Sequence, residues 1–145
     1  MKITIEAPKA GEEEEVVIRC KSLDDEIMNL IQALRKGRDV LAGYAEDRIV
    51  KLEPKDIFYF ESVDNRVYAY TGQEVYEVRK KLYEIEEAYS HMDFLRISKS
   101  AIVNVAKIAY LKPIFNGRFE TTLKNGEKII ISRQYIINLK RKLGI

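Results

Sequence analysis

The sequence predicts a mainly β protein, α+β overall, in which packed antiparallel sheets carry a few short helices. Three observations predict it. From about residue 46 onward, short runs rich in Ile, Val, Tyr and Phe recur with turn signals every 8–12 residues or so, the rhythm of an all-β sandwich. Two dipeptides between such runs, Thr71-Gly72 and Asn125-Gly126, are hairpin signals, the second being a type I′ signature. Ahead of residue 46 the pattern differs and reads as a small ββαβ unit, which sets residues 1–45 apart from residues 46–145.

In the leading unit, Lys2 to Glu6 and Val16 to Cys20 have strand character, separated by an acidic loop from Pro8 to Glu15. Ser22 is placed to cap a helix carrying Ile27, Leu30, Ile31 and Leu34 at helical spacing, and Gly37 to stop it. Asp39 to Tyr44 reads as a third strand. This unit bears no chemical motif. Its edge strands and helix face need cover, which makes it a candidate for self-association or regulation.

In residues 46–145, Ile49–Leu52, Asp56–Glu61, Arg66–Tyr70 and Gln73–Val78 read as strands. Lys80 to Tyr89 is helical, with Leu82, Ile85 and Tyr89 on one face. Phe94–Ile97, Ile108–Ile114, Arg118–Leu123 and Lys128–Ser132 are further strands. Ser132 is then placed to cap a final helix, Arg133 to Leu143, with Ile136, Leu139 and Leu143 on its apolar side.

The bulk numbers exclude several classes. No apolar run approaches the roughly 18–20 residues that cross a bilayer. The N-terminus has no apolar signal core, and one cysteine, Cys20, permits no internal disulfide. Together these point to the cytoplasm. Net charge is +2, but residues 96–145 carry 11 basic and 2 acidic side chains. A basic third on a near-neutral chain is a common footprint of a polyanion-binding face.

Catalysis finds no support. His91 is the only histidine and Cys20, ending an apolar strand, reads as a core side chain. One Cys and one His cannot make the usual structural zinc site, and no glycine-rich phosphate loop is present. Ser98-Lys99-Ser100 is a poor Ser-Lys dyad, because neighbours on an extended segment point to opposite sides. The expectation is therefore a non-enzyme with no cofactor, no metal and no small-molecule substrate.

Ser98-Lys99-Ser100 instead interrupts two hydrophobic stretches, as a contact loop at the tip of a β scaffold would. Hydroxyls and backbone amides there can bind phosphate, and lysine can donate to phosphate or to guanine in the major groove. Two other tips share that chemistry: Asp64-Asn65-Arg66, and Ser132-Arg133-Gln134 at the last helix start.

Those residues also carry a family resemblance. Asp56 to Glu61 with the Asn65-Arg66 tip, Phe94-Leu95-Arg96-Ile97-Ser98-Lys99-Ser100 with Val103-Asn104, Ile108 to Leu111, Asn125-Gly126, and Ser132-Arg133 opening the last helix together resemble a LytTR domain. The likeness covers residues 46–145. It implies packed antiparallel sheets that read double-stranded DNA with loops in successive major grooves, often on paired repeats, without a helix-turn-helix. By position it implies base contacts from Asn65, Arg66, Lys99 and Arg133. Ser98 and Ser100 would contact phosphate or support the loop, and Asn104 would hold backbone in shape. Ser132 would support a phosphate contact, and Lys107 and Lys140 are phosphate candidates on charge.

The chain departs from the family pattern at Ser98, where the family commonly has His, so any contact made by that ring is lost. Only about 45 residues precede the likeness, too few for a phosphoacceptor receiver, so a compact regulator without phosphorylation control is expected. The expected function is a sequence-specific transcriptional regulator working as a homodimer. The alternative is a non-enzymatic protein-interaction or adaptor module with a basic face.

Overall fold

The computed structural model describes residues 2–35, with the backbone alone at Arg35, and residues 40–145. The first helix, α1 (Asp25–Arg35), is followed by β1 (Leu41–Tyr44), β2 (Ile49–Leu52), β3 (Ile57–Val63), β4 (Arg66–Thr71) and β5 (Val75–Val78). Then come α2 (Leu82–Ala88), β6 (Phe94–Ser98), β7 (Ala101–Asn104), β8 (Ile108–Pro113), β9 (Phe119–Leu123), β10 (Lys128–Ile131) and α3 (Ile136–Leu143). All pairings are antiparallel. Seven strands form one sheet in the order β2-β1-β5-β4-β3-β7-β6, and three form a second, β10-β9-β8.

The expected sheets are present because alternation along the central strands feeds two cores. On β3, Tyr59 opposes Val103 and Phe60 opposes Ile102, and successive residues face opposite sides. Phe60 and Ile102 join Ile57, Leu82, Ile85, Tyr89 and Phe94 under α2. Tyr59 and Val103 join Ile97, Leu123, Ile131, Ile136 and Leu139, which brings the second sheet and α3 onto the other face. The middle of the large sheet is thus covered on both sides, and its strand ends are held in fixed register.

The N-terminal ββαβ arrangement does not form. Residues 2–24 make no strand, and Ile3, Ile5, Val16, Val17 and Cys20 are exposed. A two-stranded ribbon is marginal without a surface to pack on, and none of the described residues covers these side chains. The helix does form. Its cap is Asp24, whose carboxylate accepts from the Ile27 N–H at 2.9 Å, two residues later than the Ser22 cap expected. Of its apolar stripe only Ile27 is buried, and Leu30 and Leu34 are exposed. The expected stop at Gly37 and the start of the third strand at Asp39 lie outside the described residues. That strand, β1, pairs with β2 and with β5, so it belongs to the large sheet and crosses the boundary expected near residue 45. Gly43 permits this: a Cβ there would lie 2.8 Å from both Leu52 Cδ1 and Tyr76 Cβ.

Two turns differ from expectation. The type I′ geometry expected at Asn125-Gly126 is found at Asp64-Asn65, with φ of 52° and 64° between the Val63–Arg66 pair. At the later hairpin only Gly126 is left-handed. Its N–H donates to the Leu123 carbonyl, and the Leu123 N–H to that of Glu127, the signature of a three-residue loop with a glycine bulge. The final helix is also shorter. Arg133–Tyr135 form a 3-10 turn, and Ser132 makes no side-chain cap; its carbonyl accepts from the Tyr135 N–H instead.

Candidate nucleic-acid interface

Strand register sets the three sequence-predicted tips at one end of the large sheet. Val63 pairs with Arg66, so Asp64 and Asn65 turn at that end. Glu61 pairs with Ala101 and Ser98 with Ala101, so Lys99-Ser100 turns beside them. A further bond from the Ser62 N–H to the Ser100 carbonyl, 2.8 Å, ties the two hairpins together. The Ser132 N–H donates to the Ile97 carbonyl at 2.9 Å, which brings Arg133 next to the same hairpin. At about 4.8 Å per strand, the centres of the β3–β4 and β6–β7 hairpins are roughly 10 Å apart. The order along the row is Asn65/Arg66, then Lys99, then Arg133.

The Lys99 tip is tightly braced. Arg96 Nε donates to the Ser98 carbonyl at 2.7 Å, and its Nη2 donates to the carbonyl of Lys99 itself. Glu86 on α2 holds the same guanidinium at 3.5 Å. The Ser98 hydroxyl accepts from the Ser100 N–H at 3.2 Å and lies 3.4 Å from the Ser100 hydroxyl. Both serines are thereby engaged in the turn, and the Lys99 side chain is left exposed with no hydrogen bond or ion pair among the described residues. A preset loop loses less freedom when it meets a partner than a mobile one does.

Asn65 is exposed in a left-handed conformation, which its short polar side chain tolerates. Arg66 is exposed, with Glu77 Oε2 at 4.0 Å, a surface pair of small consequence. Arg133 is exposed too, and its stem lies across Gly117 in the β8–β9 loop. A Cβ at Gly117 would stand 2.9 Å from Arg133 Cδ, a flexible stem that can give way, so it is the φ of +72° that favours glycine there. Lys140 is exposed on α3.

Two predicted residues lie away from the row. Asn104 pairs with Phe94 at the far end of the β6–β7 hairpin. It is buried, with its amide donating to the Ile57 carbonyl at 2.9 Å and its oxygen accepting from the Ala106 N–H at 3.1 Å. Lys107 is half-buried beyond it, its ammonium 5.1 Å from the centre of the Phe58 ring.

Sequence reasoning missed three features of this end. One is the Arg96 clamp. A second is Phe115, 79% exposed in the loop that packs on Arg133. The third is the run Arg79-Lys80-Lys81, which follows β5 at the same sheet end because Val78 pairs with Val67. Only the hairpin pairing, absent from a linear reading, brings these residues to the tips.

The fold is an antiparallel sandwich that presents a row of exposed amide and cationic loop tips at one sheet end. The comparisons give the class its name: residues 47–144 match the family model described as LytTr DNA-binding domain, and the chain belongs to that family. It is 33% identical over 125 residues to sensory transduction protein LytT of Bacillus subtilis, an alignment covering 86% of this chain and 52% of that protein. A Staphylococcus aureus protein named as an uncharacterized HTH-type transcriptional regulator is 28% identical over 147 aligned residues, 100% of this chain and 99% of that one. A solved LytTr DNA-binding domain from Bacillus cereus has a TM-score of 0.69 at 24% identity, covering 73% of this chain and 97% of that chain. The chain spans about half the length of the LytT relatives it matches. Among the described residues the three α-helices are separated by strands.

Proposed function

We propose that this protein is a sequence-specific double-stranded DNA-binding transcriptional regulator that acts in the cytoplasm as a homodimer on paired repeats. The observation that carries the reading is the row of three tips at one sheet end, within residues that match a DNA-binding family model. Asn65, Arg66, Lys99 and Arg133 read base edges in successive major grooves. Arginine and lysine suit guanine O6/N7, and asparagine suits adenine N6/N7. Ser98, Ser100 and Ser132 hold the tips, and Lys140 adds a phosphate contact that strengthens binding without informing it.

Support for self-association comes from the N-terminal segment, where Ile3, Ile5, Val16, Val17 and Leu23 are exposed alongside Met28, Leu30 and Leu34 of α1. So much exposed apolar surface on one short segment is a common mark of a protein interface. Two linked half-sites would raise affinity well above that of either alone.

Competition binding with single-base variants of a selected duplex tests the base contacts. Lys99→Ala or Arg133→Ala should each cost about 1–3 kcal/mol on the preferred sequence and flatten the preference at one position. Lys140→Ala should weaken all duplexes equally. Unchanged preference in both Lys99→Ala and Arg133→Ala would contradict the reading.

A further inference from the structure

Residues 46–95 are acidic, with 12 acidic side chains against 7 basic, yet three of those seven form one run, Arg79-Lys80-Lys81. That run leaves β5 at the sheet end that carries the tips, next to the Asn65 turn. A groove of about 250 Å³ separates the two, and its charged lining is Arg66, Arg79, Lys80 and Lys81 with Glu77 and Glu84. Each of its two carboxylates has a neighbouring donor or cation. Glu84 accepts from the Lys81 N–H at 3.0 Å, and Glu77 stands by Arg66. Arg48, Arg66 and Arg96 each have a carboxylate within 4.0 Å, whereas Arg79, Lys80 and Lys81 have no ion-pair partner among the described residues.

Arg79 is nevertheless not free to wander. Its guanidinium carbon lies 3.9 Å from the centre of the Tyr44 ring, in face contact. Tyr44 is held by its place on β1, paired with Glu77 of β5. A ring against the face of a guanidinium covers the weakly hydrated side and leaves the edge N–H groups open. Those edges form the planar fork that fits two oxygens of a phosphate. Tyr44 lies ahead of residue 47, where the family match begins, so the support comes from outside that match.

We propose that Arg79 is a phosphate-binding residue at the DNA-facing end, and that Tyr44 of β1 is the positioning residue that sets its guanidinium. Lys80 and Lys81 add cationic charge around the same phosphate. The strand ahead of the family domain thereby takes part in DNA affinity without touching DNA. This inference rests on the DNA-binding reading above.

The test is duplex binding by the full chain as a function of salt, on a selected sequence and on a scrambled one. Arg79→Ala should weaken both by about tenfold and reduce the slope of log K against log salt by about one, with sequence preference intact. Tyr44→Ala should weaken both by about two- to fivefold, the scale of an exposed cation–π contact, and Tyr44→Phe should bind as the wild type does. Combined with Arg79→Ala, Tyr44→Ala should add nothing. Wild-type affinity and salt slope in Arg79→Ala, with selective binding by the wild-type protein, would overturn the proposal and leave the DNA reading standing. Full additivity in the double variant would overturn the positioning role of Tyr44. Failure of the wild-type chain to bind any duplex would remove both the proposal and the reading it rests on.

Discussion

At the scale of single residues, the molecule separates side chains that hold from side chains that are presented. Asn104 belongs to the first group. Its two hydrogen bonds join β7 to the start of β3, out of water, and cap the 3-10 turn that follows, where the bond is partly buried. Asn104→Ala would leave the Ile57 carbonyl and the Ala106 N–H without their partner. It should destabilise the fold by about 2–3 kcal/mol, read as a lower urea midpoint with the m-value unchanged. Lys99 belongs to the second group, and the Ser-Lys-Ser interruption between two apolar stretches marked it in the sequence. What was not legible is how the tip is fixed. Arg96 lies three residues ahead of Lys99, and its bond to the Lys99 carbonyl needs the chain to turn back. Asn65 is similar: as a residue type it pointed to a base edge, but its left-handed backbone is a property of the turn.

At the scale of elements, most strand positions from residue 49 onward were legible because apolar runs and turn signals alternate there, but β7, parted from β6 by the Ser-Lys-Ser turn, was not read as a strand. The same pattern misled at Val16 to Cys20, where β-prone residues find no strand to pair with. Pattern reports what a segment can do, and partners decide whether it does so. Asn125-Gly126 shows the same limit, since it makes a hairpin of a different turn type. One strut between elements is pH-sensitive. The hydrogen bond from Tyr76, with the Arg48 guanidinium beside it, holds the Glu74 carboxyl below the usual carboxylate range. A carboxylate with a lowered pKa contributes stability that is present above its unfolded value of about 4.3 and is lost as pH falls through the folded value. Wild-type protein should therefore melt slightly above Glu74→Gln at pH 7, and the gap should close as pH falls from the unfolded value through the lower folded one. A gap that persists in acid would mean that the strut acts through packing and not through charge.

At the scale of the whole molecule, the sandwich was legible from strand count and rhythm. The division at residue 45 was drawn where the pattern changes, but β1 pairs across it. The useful cut is therefore just before β1. A chain beginning at Val40 keeps the ten strands of the described residues and removes the segment proposed for self-association. Sedimentation should show a dimer for the full chain and a monomer for the shortened one. Equal masses would remove the N-terminal segment from the interface. The central claim is that the three tips together read a DNA sequence. Selection of duplexes from a random pool at two salt concentrations, by wild type and by Arg133→Ala, tests it most directly. The account predicts a paired motif enriched by the wild-type protein, weakened binding at the higher salt, and loss of one motif position in the variant. Binding without any enriched motif, or no binding at either salt, would contradict it.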